Sequence, residues 1–174
     1  GKAALVQELT TTASTIPGAI KVHVPSVAEK ASAINEWAVG VYVLSLRVSV
    51  TNLPTWVTNG VPIALAPMIS IGTPPVAPNF HAGDTLTITC TPRLLAQQSA
   101  NVNLIFGSQT LAPKTADTPA DLLKPTTLTF TVPTVAAGSY TVRLRVDGVD
   151  SLPIKVSGSP PKLEFDNNQK VTVS

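Results

Sequence analysis

Few residues in this chain could do chemistry, and they are far apart. His23 sits on the polar side of an alternating stretch and His81 in a turn ahead of Gly83-Asp84. Neither has a second His, a Cys or a carboxylate at the spacing of a metal-ligand set, so no metal and no general base is expected from them. Cys90 shares one face of an alternating run with Leu86 and Ile88, the setting of a small buried hydrophobe and not of a reactive thiol. Being the sole cysteine, it allows neither an intrachain disulfide nor a structural zinc site. No Gly-x-Ser-x-Gly, phosphate-cradling Gly-rich loop or His-Glu-x-x-His occurs. Asp147 and Asp150 bracket a turn and invite a calcium reading, yet Asp in a tight turn is already explained by bonding to its own backbone. No catalytic residue and no cofactor is expected, which moves attention to surfaces. There Trp56, in a proline-flanked loop, is the aromatic expected at an interface, whereas Trp37 and Tyr42 are expected to pack helix on strand.

Charge points the same way. Twelve Lys and Arg against ten Asp and Glu leave a net +2 with the cations scattered singly, so neither a phosphate-tracking stripe nor a polybasic membrane patch is formed. Nucleic acid is not an expected partner. Only 13% of residues are charged and 44% are hydrophobic, enough apolar matter to build a core and to disfavour disorder. The longest apolar stretches, residues 38–44 and 61–69, are too short to span a membrane, and Pro62 and Pro67 interrupt the second. The chain opens at Gly1 without Met, a basic n-region or an apolar h-region, so no secretion leader is read and a longer parent protein is expected.

The elements that must position these residues follow from periodicity. Residues 5–17 are rich in Thr and Ser, which favours extended chain. AIKVHV at 19–24 alternates as a half-buried strand does. Ser26 and Glu29 have the spacing of a capping box, and Val27, Ala31, Ile34 and Trp37 recur at helical intervals, predicting about three turns of helix closed by Gly40. Residues 41–51 alternate again as one strand. Residues 1–63 are thus expected to form a small strand-helix-strand segment, the end of a larger α+β domain or one completed by a neighbouring chain. Asn52, Pro54, Asn59-Gly60, Pro62 and Pro67 mark the boundary.

From about residue 64 the pattern is uniformly β. A short strand at 66–71 and a proline-rich break at 73–78 are followed by alternating runs around Leu86, Leu104, Leu128 and Leu144. Asp147-Gly148 between two such runs predicts a type I′ hairpin whose return strand carries Leu152, Ile154 and Val156. Six or seven short strands with Gly/Pro turns predict an immunoglobulin-like β-sandwich over 64–157. Arg143 and Arg145 are expected on its solvated face, with Lys155 opposite. Residues 158–174 form an extended tail with two short strands, expected to add to a neighbour's sheet. Phe165, Val171 and Val173 in that tail join Trp56 as expected partner contacts.

The run from Gly138 to Pro153, GSYTVRLRVDGVDSLP, followed by FDNNQKV from Phe165, resembles the C-terminal end of the tail-terminator or cap proteins of extracellular contractile injection systems, the antifeeding-prophage type of phage-tail-like particle. The stretch through Ile34, Trp37, Tyr42 and Leu44-Ser45 is similar to the close of that family's N-terminal domain, most of which is missing here. The resemblance implies a structural subunit, six to a ring, that halts growth of tube and sheath. It further implies assembly in the cytoplasm followed by residence in the particle, contacts to its own copies and to tube and sheath proteins, and no catalytic residues. The alternative expectation is a surface or extracellular immunoglobulin-like binding module, an adhesin or carbohydrate-binding sandwich.

Overall fold

The computed structural model describes residues 6–72 and 78–174. Up to residue 65 the chain makes small two-stranded ribbons. β1 (Thr11–Ala13) pairs with β2 (Ile20–Val22), and after the single-turn helix α1 (Ala33–Glu36) come β3 (Gly40–Leu44), β4 (Arg47–Val48), β5 (Trp56–Val57) and β6 (Val61–Leu65). β3 pairs with β6 and β4 with β5, all antiparallel. The three-turn helix expected here is two separate turns instead. One closes with Lys30 N–H donating to Ser26 O and the other with Trp37 N–H donating to Ala33 O. Between them the ladder changes to a three-residue turn, with Ala33 N–H donating to Lys30 O at 2.9 Å. The strand expected over 41–51 is also broken, because Leu46 turns aside to exchange bonds with Thr58: its N–H donates to Thr58 Oγ1 and its carbonyl accepts from Thr58 N–H, each at 2.9 Å.

The remainder is a β-sandwich. Its strands are β7 (Met68–Ile71), β8 (Asn79–Phe80), β9 (Thr85–Thr91), β10 (Val102–Phe106), β11 (Gln109–Leu111), β12 (Thr115–Asp117), β13 (Thr126–Thr131), β14 (Gly138–Val146) and β15 (Val149–Asp150). They are followed by β16 (Ile154–Ser157), β17 (Lys162–Phe165) and β18 (Lys170–Val173). One sheet runs β12-β13-β9-β7, and the other β11-β10-β14-β18-β8 with β15 on β14. The proline-rich break expected at 73–78 lies, apart from Pro78, outside the described residues. Alternation decides which side chains go inside: Leu86, Ile88 and Cys90 from β9 and Leu128 and Phe130 from β13 meet Leu104, Phe106, Val142 and Leu144 from the facing sheet, all fully buried. Each large side chain so buried contributes about 1.5–3 kcal/mol.

Two local devices fix the topology. Asp147 and Gly148 both have positive φ, 48° and 83°, as the hairpin between β14 and β15 requires. Near the start of β14, Tyr140 Oη donates to Ala136 O at 2.7 Å, the tyrosine corner found in immunoglobulin-like sandwiches. The N-terminal segment is tied on by Val39, which joins the sandwich core, and by buried Gln98, whose Nε2 donates to Val39 O at 2.8 Å.

The end of the chain differs from expectation. Residues 158–174 are not a free tail, because β18 lies between β14 and β8 inside the sheet. Nor does the Asp147-Gly148 hairpin carry Leu152, Ile154 and Val156 back along β14. The register shows why: Arg145 pairs with Asp150, whereas Thr141 on the same strand pairs with Lys170. β15 and β18 are therefore two halves of one strand, and the residues between them leave the sheet as the hairpin β16–β17. Ser151 bridges the gap. Its N–H donates to Leu144 O at 2.7 Å while its Oγ accepts from Leu144 N–H at 3.0 Å and donates to Gln169 Oε1 at 3.2 Å. Gln169 Nε2 then donates to Leu152 O at 2.7 Å, and both side chains at this root are buried. Pro153, lacking an N–H, favours departure from the ladder at this point.

Candidate interaction surfaces

The chemistry-bearing residues stay apart in three dimensions. Burial pushes the Cys90 thiol up to about 12, so it is protonated at neutral pH. His81 lies between Asp84 and Ser174, with Ser174 Oγ 3.3 Å from its Nε2 and Asp84 Oδ2 3.6 Å from its Nδ1. The second distance is not a hydrogen bond, and Asp84 Oδ2 is taken by His81 N–H at 2.7 Å, so the trio forms a surface turn without the relay of a nucleophile, base and orienting acid. His23 Nε2 meets Glu29 Oε1 at 2.9 Å on the exposed side of the Ser26 turn. Among the described residues, no three His, Cys, Asp or Glu side chains gather as a metal site. No helix among them is long and apolar enough to cross a membrane.

The two aspartates at the hairpin are both engaged. Asp147 accepts from Gln98 Nε2 and Asn101 Nδ2, each at 2.9 Å, beside an open polar hollow of about 460 Å³ that Asn103 and Arg145 also line. Asp150 faces the arginines across the outer sheet face, 2.5 Å from Arg145 Nε and 3.2 Å from Arg143 Nη1. The Arg145 hydrogen bond holds the Asp150 carboxyl below its usual range and raises the arginine in turn. Lys155, expected opposite these arginines, lies instead on the β16–β17 arm, in register with Glu164.

Of the four expected contact residues, two are on the surface and two are not. Trp56 is 65% exposed on β5 opposite Val48, and Phe165 is 69% exposed on β17. Val171 and Val173 have only 0% and 3% of their surface exposed, because β18 is an interior strand of this chain's own sheet and its inward side chains fill the core. These two are corrected to core residues.

Several of the exposed apolar side chains fall on two ribbons. On the arm, Ile154 pairs with Phe165 and Val156 with Leu163, so all four share one face and all four are exposed, with Lys155 and Glu164 on the other. On the β3–β6 ribbon, Val41 and Val43 lie on one face and Leu44, Val61 and Ile63 on the other, again exposed. Two-stranded ribbons are marginal alone in water, and contiguous apolar patches on them mark interaction sites. Alternation in the sequence shows such faces but not what meets them. The Ser151–Gln169 root, which aims the arm, carries no pattern in the sequence at all.

Among solved structures, the chain is similar to the Bacteroides ovatus mixed-linkage glucan utilization locus protein SGBP-B in complex with mixed-linkage heptasaccharide. Identity is 18% and the TM-score 0.39, covering 96% of this chain and 35% of that one, so the chain spans about a third of that protein's length. No curated protein matches at the sequence level. Residues 67–172, the sandwich together with its arm and most of β18, match the family described as Domain of unknown function (DUF8756), and the chain belongs to that family.

Proposed function

We propose that the chain is a non-catalytic binding module, an immunoglobulin-like sandwich that presents apolar β-ribbons to a protein partner. One observation carries this reading: exposed apolar side chains fill one face of the β16–β17 arm and lie on both faces of the β3–β6 ribbon, whereas the sandwich's outer face carries Thr141, Arg143, Arg145 and Asn103. Three of the four side chains on the arm's face are Ile, Val and Leu, which complement a protein surface, and Phe165 is the one ring among them. The finer reading follows the resemblance of residues 138–171: the partners are neighbouring copies and the tube and sheath of a contractile tail-like particle, assembled in the cytoplasm, with the chain as part of its cap. A second reading, an adhesin or glycan-binding sandwich, is favoured by the exposure of Trp56.

Immunogold labelling with antibody to residues 67–172, on tail-like particles and on intact cells of the source organism, separates the two. Label at one end of the particles, lost in a Val156→Ser/Phe165→Ser variant, is the expected result. Label spread over the cell surface, with saturable glycan binding abolished by Trp56→Ala, would replace it with the second reading.

A further inference from the structure

The β3–β6 ribbon has two long edges, and its register distinguishes them. Opposite residues in an antiparallel pair alternate between those that exchange two backbone bonds and those that turn their N–H and C=O groups outward. Pro62 stands opposite Val43 and has no N–H to exchange, so Val43 and Pro62 form a pair of the outward kind. Val41 and Ala64, two residues along, form another, while Tyr42–Ile63 and Leu44–Val61 hold the strands together. The backbone groups of Val41 and Val43 therefore point away from β6, and among the described residues no further strand pairs with them.

The two edges differ in protection. On β6 the proline removes a donor from the middle of the edge, a common guard against strand addition. β3 contains neither proline nor charge. The arm's strands, in contrast, carry Lys155, Lys162 and Glu164. Val41 and Val43, 66% and 73% exposed, lie on one face of the ribbon beside the free edge, and exposed Leu44 lies on the other. The edge is also held in place, because Val39, just before β3, sits in the sandwich core and its carbonyl accepts from Gln98. Outward groups on a strand recur at every second residue, about 7 Å apart, and an extended main chain offers matching donors and acceptors at that repeat. We propose that the free edge of β3 receives an extended segment of a partner polypeptide as a third strand, bonded to the backbone of Val41 and Val43, with alternate apolar side chains beside Val41 and Val43. A third strand brings the ribbon to the size at which a sheet holds together. This proposal rests on the reading of the chain as a protein-binding module.

The test is amide hydrogen exchange on the full chain, followed by NMR. Without a partner, the Val41 and Val43 amides are expected to exchange faster than those of Tyr42 and Leu44. The capped peptide Lys-Val-Thr-Val-Thr-Val-Lys is expected to slow Val41 and Val43 saturably, with a Kd of about 1 mM or tighter. The same peptide N-methylated throughout is expected not to bind. Val43→Pro removes one outward donor without touching the bonds to β6 and should weaken binding about tenfold or more, whereas Val43→Thr, which keeps the N–H, should bind as the native chain does. Equal binding of the methylated peptide, or no slowing at Val41 and Val43, overturns the proposal. Protection of these two amides that rises with protein concentration in the absence of peptide also overturns it, in favour of a second copy on the edge. If the peptide fails while the arm variant still loses its partner, the edge proposal falls and the binding-module reading stands.

Discussion

The sandwich and the ribbons are written in the same alternating pattern and come to opposite ends. In β9, β13 and β14 every second side chain is apolar, and those side chains meet a facing sheet of the same chain that buries them completely. In β3, β6, β16 and β17 the apolar positions are as regular, and they face solvent. The sandwich thus covers its own apolar faces, while the ribbons leave theirs exposed. Apolar area stabilises the fold only where both sides of the contact belong to the chain.

Truncating a phenylalanine in each region tests that contrast most strongly. Phe130→Ala in the core is expected to cost about 3–5 kcal/mol in urea unfolding, and Phe165→Ala on the arm to stay within about 0.5 kcal/mol. A comparable loss at both would mean that the arm is part of the cooperative core. Next in size is Ser151→Ala, which leaves the Leu144 N–H buried without an acceptor and should cost about 1–3 kcal/mol. It should also raise amide exchange across the arm's root.

Gln98→Ala sharpens the boundary between the regions. It removes the bond to Val39 O and one bond to Asp147, and it should cost about 1 kcal/mol. Limited proteolysis should then cut within residues 6–65 earlier while the sandwich survives; equal protection of both would show that the core contact of Val39 alone holds them together. The smallest effect concerns acid. The Ser26 hydroxyl, with the Ser26 N–H and His23, holds the Glu29 carboxyl down to about 2. A carboxyl lowered by folding supports its turn above the unfolded value of 4.5 and loses that support as pH falls from there toward 2. Carbon NMR titration should find the Glu29 midpoint near that lower value, and Ser26→Ala should move it back up.

How much of this was legible depended on whether the deciding contacts were local. Leu86-x-Ile88-x-Cys90 and Asp147-Gly148 carry their own geometry, so the strands, the hairpin and the burial of Cys90 follow from the sequence. Val171 and Val173 do not say whose sheet they join, because period two is the same for a strand added to a neighbour and one retained at home. Leu152, Ile154 and Val156 alternate among themselves but one residue out of phase with Val149, and such a shift reads equally as a bulge in a strand that stays in its sheet. Trp37 and Arg93 are far apart in the chain and line one cleft only through tertiary packing. Trp56 and Phe165 were legible as surface aromatics because nearby prolines and turns deny them a core.

The interrupted strand also bears on how this chain can change over generations. Ser151 and Gln169 close the sheet beneath the arm, so residues 152–168 hang from two anchored points without holding the sandwich together. Substitutions, and even a different hairpin, can be exchanged there with the fold intact. Relatives that keep the sandwich are expected to diverge fastest in the arm.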